Sequence, residues 1–260
     1  MITVNPFVEN VFNIPMLAMQ AFLILMVLFT VGGVLLDMVH KKNVKFFFEN
    51  AKKAKLSATN TVPTAKKVSI VVKTLAHDVA TSAEFCGVTR RITHLLGMYG
   101  TIAFWVSSAI LIFSSTSASS VWPIIWHVGA IMTCIGGYWF WFIQRVDVRS
   151  EGNAWSRIVF ADLFVMSLVL TSTFALLWSF FQSSNSIGLA MLFFIMFVIS
   201  NVVLFGGVYW SKFAHMFYKP GAAIQKNLAE ADGSRDNLPP PADAPEQFGL
   251  GIKREEPKHY

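Results

Sequence analysis

The chain has 260 residues, of which 54% are hydrophobic and only 14% charged, with 24 Phe, 8 Trp and a formal net charge of +6. Soluble domains carry about 25% charged residues, and so few charges cannot screen this much apolar surface from water. The composition therefore excludes a soluble domain and indicates an integral membrane protein. The two cysteines, Cys86 and Cys134, are far apart, which excludes a cysteine-ligated iron–sulfur cluster or zinc module within the chain.

A helix needs about 20 mostly apolar residues to cross a bilayer core. The first segment that qualifies runs from about Ile14 to Leu36. A polar segment at 38–93 follows, with paired lysines and a short amphipathic stretch from Val68 to Ala76. Such a segment suits anionic headgroups or a docked partner. The second span runs from about His94 to Phe113, and the third from about Val121 to Ile143. Pro123 falls in the first turn of the third span, where its missing N–H costs nothing. After a loop at 144–157 the fourth span runs from about Ile158 to Phe181 and the fifth from about Ile187 to Trp210. Backbone polar groups in lipid must be satisfied within the segment, so these are helices and the fold is an all-α, five-helix membrane bundle. The expected organisation is a membrane domain over 1–222, with its loop at 38–93, followed by a disordered polar tail over 223–260 that contains DNLPPPADAP.

Basic residues are confined to three segments. Eleven lie from Lys41 to Arg91, three are Arg145, Arg149 and Arg157, and the last seven run from Lys212 to Lys258. The other two connections, Ser114–Ser120 and Gln182–Ser186, carry no charge. With five spans, every basic segment falls on one side, and basic loops stay cytoplasmic. The expected topology is N-terminus outside and C-terminus inside, in the inner (plasma) membrane as a multi-pass protein. No basic region precedes the first apolar run, so the first span is expected to remain as a helix and not be cleaved. Placed on membrane-flanking segments, the basic residues match lipid headgroups and give no reason to invoke nucleic acid.

Ionisable groups within a bundle need a physical reason. His40 and His259 are expected to be solvated, and His77 sits in the inner loop beside Asp78. His127 lies near the outer end of the third span and suits either helix packing through a hydrogen bond or contact with a quinone carbonyl. Asp162 opens the fourth span and either pairs with Arg157 or takes protons from a quinol. His94 opens the second span and His215 follows the fifth, at the same cytoplasmic end. Two neutral imidazoles at one depth can hold a b-type haem as axial ligands; two interfacial histidines with no ligand fit the same spacing. Gly97 and Gly100 lie close to the His94 face and would let a flat porphyrin approach the backbone. Arg90, Arg91 and Lys212 are placed to pair with haem propionates.

Three segments resemble the nitrate reductase gamma subunit family, which includes the membrane cytochrome b subunits of heterodisulfide reductases. TRRITHLLGMYG, Thr89–Gly100, is similar to the start of that family's second helix. YWSKFAHMFYKPGA, Tyr209–Ala222, resembles the segment closing its fifth helix, and FADLFVMSLVLTSTFALL, Phe160–Leu177, its fourth helix. The likeness covers roughly residues 65–222. It implies that His94 and His215 are the axial pair of the haem nearer the cytoplasm. The family's two-haem members carry a second pair, at positions occupied here by Phe104 and Phe197. Neither can ligate iron, so one haem b is expected, with the two Phe rings filling that space as core.

The resemblance implies an electron-transfer subunit, not a stand-alone enzyme, that works between the quinone pool and cytoplasmic iron–sulfur or flavin subunits. The soluble partner would be an adenylylsulfate reductase or a heterodisulfide reductase-like enzyme, within sulfur metabolism. A haem-free membrane anchor for a soluble enzyme is the competing expectation. Five spans without an internal repeat speak against a transporter.

Overall fold

The computed structural model describes residues 2–8, 13–83, 85, 87–114 and 117–234. Nine α-helices occur among the described residues: α1 Met16–Lys41, α2 Asn43–Leu56, α3 Thr64–Lys73, α4 Val88–Ser114, α5 Val121–Trp139, the short α6 Val146–Arg149, α7 Leu163–Ser183, α8 Ile187–Gly206 and α9 His215–Asp232. Five are long and apolar enough to cross a membrane: α1, α4, α5 with its extension to Gln144, α7 with its preceding turn from Phe160, and α8. The chain divides into two compact units, residues 1–37 with 92–214, and residues 38–91 with 215–260.

The first unit is the spanning bundle. α1 begins directly after Pro15, whose carbonyl accepts from the Ala18 amide at 2.9 Å. Little of α1 is covered, and Leu17, Leu28, Leu35 and Leu36 all lie exposed along it, as a lipid-facing helix requires. The core lies nearer the end that holds the 2–8 segment and is aromatic. Phe104, Trp126, Trp178 and Phe197 form its centre, with Trp126 and Trp178 edge to face at 6.3 Å between centroids. Residues before the first span contribute to it. Phe7 is buried with its ring edge-on to both Trp126 and Trp178. Asn5 Nδ2 donates to the Leu111 carbonyl at 3.0 Å, and Gln182 Nε2 donates to the Pro6 carbonyl at 3.0 Å. These side chains satisfy carbonyls at helix ends and a loop that water would otherwise have to reach.

α4 and α5 approach backbone to backbone. A Cβ added at Gly129 would lie 2.6 Å from the Phe104 amide nitrogen, one at Gly136 2.6 Å from the Gly97 nitrogen, and one at Gly100 2.6 Å from the Thr133 nitrogen. Lipid-embedded helices gain no hydrophobic effect from pairing and associate through close van der Waals packing, for which small residues are needed. Thr133 Oγ1 donates within α5 to the Gly129 carbonyl at 2.9 Å, so its hydroxyl is satisfied in the same seam.

At its other end α5 widens into a π-helical turn, Phe140–Gln144, closed by the Arg145 amide donating to the Phe140 carbonyl at 2.9 Å. The extra residue in the turn carries Trp141, Gln144 and Arg145 into buried positions. The fifth span stops at Gly206, earlier than the expected Trp210. Consecutive glycines weaken the helix there, and Tyr209 and Trp210 lie in a turn.

The second unit contains α2, α3 and α9. Helix α3 runs on as a π-helical stretch, Thr74–Val79. Ala54 of α2 and Ala229 of α9 are buried within this unit. The amides of Thr59 and Asn60 both donate to the Asp232 carbonyl, at 2.9 and 3.0 Å, and so terminate α9. Residues 223–232, which fall in the stretch expected as a disordered tail, are the second part of α9. Pro220 interrupts the hydrogen-bond ladder of α9 without ending it, because packing inside this unit offsets the cost of a proline in a helix. The Pro-rich stretch and His259 lie outside the described residues, as does Cys86.

Candidate functional site

His94 lies on the first unit's portion of α4, and its side chain is exposed. Gly97 is one turn further on the same face, and a Cβ added there would meet nothing within 4 Å. That half of the expected cradle is open. The other half is not, because the α5 backbone at Thr133 and Gly129 fills the space beside Gly100. Gly100 therefore serves the α4–α5 seam.

His215 is the first residue of α9, is exposed, and belongs to the second unit. It does not close the fifth span. A turn and the 3-10 stretch Lys212–Ala214 separate it from the end of α8. Lys212 is exposed in the first unit, with Phe213 and Ala214 buried beside it in the chain.

The two arginines differ. Arg90 is exposed, with its guanidinium 6.0 Å from the centre of the Phe85 ring. Arg91 is held locally: its Nε donates to the Thr81 carbonyl at 2.7 Å and an Nη to the Thr81 hydroxyl at 2.9 Å. Those bonds fix the turn before α4.

Phe104 and Phe197, at 1% and 8% exposure, sit in the aromatic core. Phe104 packs on Trp126 with centroids 5.3 Å apart, and Phe197 stacks on Trp178 at 5.6 Å. The expectation that these two rings are core packing holds.

His127 is buried and bonded at both ring nitrogens, to the Pro123 carbonyl at 2.7 Å and the Ser179 hydroxyl at 2.8 Å. A carbonyl only accepts, so Nδ1 carries the proton there, and in the neutral ring Nε2 accepts from Ser179. This is the packing role: it ties the first turn of α5 to α7. A quinone carbonyl would have to displace one of these bonds.

Asp162 pairs with Arg145 at 3.5 Å, and not with Arg157. Its other contact is the Val159 amide, which donates to Oδ2 at 3.1 Å. Arg145 lies 4.4 Å over the Trp141 ring and donates to the Arg157 carbonyl. The buried guanidinium and the partly buried carboxylate so placed neutralise each other. Nearby in the chain, Gln144 Nε2 donates to Thr93 Oγ1 at 3.0 Å, linking the end of α5 to the start of α4. The sequence places Arg145 in the basic loop at 144–157, without a sign of its burial other than position, directly after an apolar run with Asp162 opening the next.

In the second unit His77 Nδ1 lies 3.0 Å from Asp78 Oδ1, and Asn227 Nδ2 donates to Asp78 Oδ2 at 2.9 Å and to Thr74 Oγ1 at 2.7 Å. Partial burial alone would raise the Asp78 carboxyl, but the His77 and Asn227 hydrogen bonds outweigh it and hold the group below its ordinary 3.8. A lowered carboxyl stabilises the fold above the unfolded-state value, and that contribution is lost as pH falls through the folded-state value. Asn227→Ala is expected to cost about 1.5 kcal/mol at neutral pH, the low end for a hydrogen bond to a charged group. Amide hydrogen exchange along α9 should rise in that variant at pH 7. The difference from the parent should shrink below pH 3.8, where Asp78 is increasingly protonated in the unfolded state and, at still lower pH, in the folded one.

Among the described residues no group of three or more His, Cys, Asp or Glu side chains is placed to hold a metal ion. A bis-histidine haem needs only two protein ligands. No family model, curated protein or solved structure matches the chain.

Proposed function

We propose that the chain is the membrane-anchoring b-type cytochrome subunit of a quinone-linked oxidoreductase. It holds one haem b through His94 and His215 and passes electrons between the quinone pool and soluble iron–sulfur or flavin subunits, of the adenylylsulfate reductase or heterodisulfide reductase kind. The observation that carries this reading is the setting of His94: an exposed imidazole one turn from Gly97, with open space beside the glycine. A ligand to a flat ring needs that room, whereas a packing histidine such as His127 is enclosed. Thr89–Gly100 and Tyr209–Ala222 carry the family resemblance, and each contains one of the two histidines.

The residues fit the group on each side taken by itself. Bound haem supplies one-electron transfer at a potential tuned by its ligands and burial. The protein's part is to supply two neutral imidazoles and to neutralise the propionates with Arg90 and Lys212. Phe104 and Phe197 occupy the positions of a second ligand pair with buried aromatic rings, which leaves a single site in this reading.

In this reading the protein sits in the inner (plasma) membrane with its N-terminus outside. The connection between α2 and α3, residues 57–63, and the end of α9 then lie in the cytoplasm. Reporter insertions at Asn60 and after Ser234 should both report cytoplasm, and an external signal from either would overturn the orientation.

The folded second unit favours a second reading, a haem-free anchor, because α2, α3 and α9 pack on one another and offer a folded surface to a soluble enzyme. A pyridine haemochrome assay on the purified full chain separates the two. About one haem per chain supports the cytochrome, and none leaves the anchor.

A further inference from the structure

Helix α3 has two apolar sides. One is used: Ile70 and Val71 are half-buried and Thr74 is fully buried, with Asn227 of α9 donating to its hydroxyl. The other is open. Val68, Val72 and Leu75, spaced four and three residues apart, are 57%, 59% and 44% exposed. That spacing puts Val68 and Val72 on one stripe of α3, and Leu75 follows at the start of the π-helical stretch that continues it. Lys66, Lys67 and Lys73 are exposed on the remaining sides of the helix.

A water-facing helix does not ordinarily leave a branched-aliphatic stripe open between lysines. A helix lying in a bilayer interface does: its apolar side enters the acyl boundary and its lysines reach anionic headgroups. Two further facts select lipid as the occupant. The segment from Lys41 to Arg91 holds eleven Lys or Arg against three acids, Glu49, Asp78 and Glu84, a net of +8. Its charge is thus complementary to an anionic leaflet and opposed to a basic protein surface. The chain also leaves α1 at Lys41 and enters α4 at Val88, and two successive spans begin and end this segment at the same face of the membrane. Tethered at both ends, α3 meets that leaflet at high effective concentration.

We infer that α3 is an interfacial helix that inserts Val68, Val72 and Leu75 into the anionic leaflet and binds acidic phospholipid headgroups through Lys66, Lys67 and Lys73. The stripe does not depend on haem, so this assignment and the cytochrome reading stand or fall separately. Each lysine near an anionic surface favours the docked state about fivefold, so the three together contribute about 100-fold. Salt weakens this attraction by shortening the Debye length, beyond which the charges are screened.

The test uses the full chain with Cys86→Ser and Cys134→Ala, a nitroxide on Val72→Cys or Ser69→Cys, and nanodiscs holding one copy each. In discs of phosphatidylcholine with an equal part of phosphatidylglycerol, the label at 72 should collide more with oxygen than with a water-soluble nickel chelate. The label at 69, on the polar side, should show the reverse. Phosphatidylcholine alone, or K66Q, K67Q and K73Q together, should return position 72 to water by about 100-fold in the docked-to-undocked ratio. Three outcomes would overturn the assignment: position 72 open to nickel in both lipids, sheltered from both reagents as in a protein contact, or equally inserted whatever the lipid charge.

Discussion

Replacing either His94 or His215 with alanine is expected to abolish the low-spin b-type absorption bands of the purified protein. A six-coordinate, low-spin haem needs two strong axial ligands, and the cytochrome reading assigns one to each histidine. Loss of either leaves iron with an open or water-filled position, or no retained haem. Both side chains are exposed in their own units, so truncating either opens no cavity in the core, the change that costs a fold most. The variants should therefore be recovered folded and monodisperse, which separates a lost ligand from a lost fold. Gly97→Ala sharpens the result. A Cβ there meets nothing in the protein itself and should raise helix stability slightly, by about 0.5–1 kcal/mol, while narrowing the space beside His94. Reduced haem retention with unchanged or higher thermal stability is the expected signature. If both histidine variants keep the parent spectrum, the ligand assignment is wrong.

The second large effect is expected at the seam of α4 and α5. Gly129→Ala and Gly136→Ala each place a methyl carbon 2.6 Å from a backbone nitrogen of α4, far inside van der Waals contact. A flexible side chain could swing aside, but a helix backbone cannot, so the two helices must separate. Overpacking of this kind costs about 1–3 kcal/mol, and separation also forfeits dispersion contacts along the seam, the main source of association in lipid. The melting temperature, read by loss of the monodisperse peak after heating, should fall by several degrees at about 2–4 °C per kcal/mol. Gly32→Ala and Gly188→Ala are the controls, since a Cβ at either meets nothing within 4 Å. The two destabilising changes should combine non-additively, because both push on the same pair of helices. An unchanged melting temperature for Gly129→Ala would refute the close approach.

The spans were legible because lipid imposes one strong rule, that about 20 successive residues be apolar. The helices Val88–Ser114, Val121–Gln144 and Phe160–Ser183 fall within a few residues of the expected segments. The N-terminal segment was not legible. Nothing in its composition says that Phe7 will be buried between Trp126 and Trp178. Pairing was one of two alternatives legible for Asp162, but the arginine that pairs with it is Arg145, not Arg157. The π-helical turn at Phe140–Gln144 that carries Arg145 inward leaves no periodic signature in so short a stretch.

Composition and hydropathy by themselves determined that this is a five-span α-helical chain with its basic residues gathered in three segments, because burial in lipid and charge placement act on each stretch independently. They also determined that Phe104 and Phe197 cannot ligate iron, since that depends on residue type alone. Tertiary structure decided what contact decides. Gly100 meets the backbone of α5 while Gly97 is left open, although the two glycines lie three residues apart and read alike in sequence. Residues 223–232 are helical because α9 packs within the second unit, against the bias of Pro220. A side chain's partner is fixed by which helix lies beside it, and neighbours distant in the chain are not encoded in local pattern.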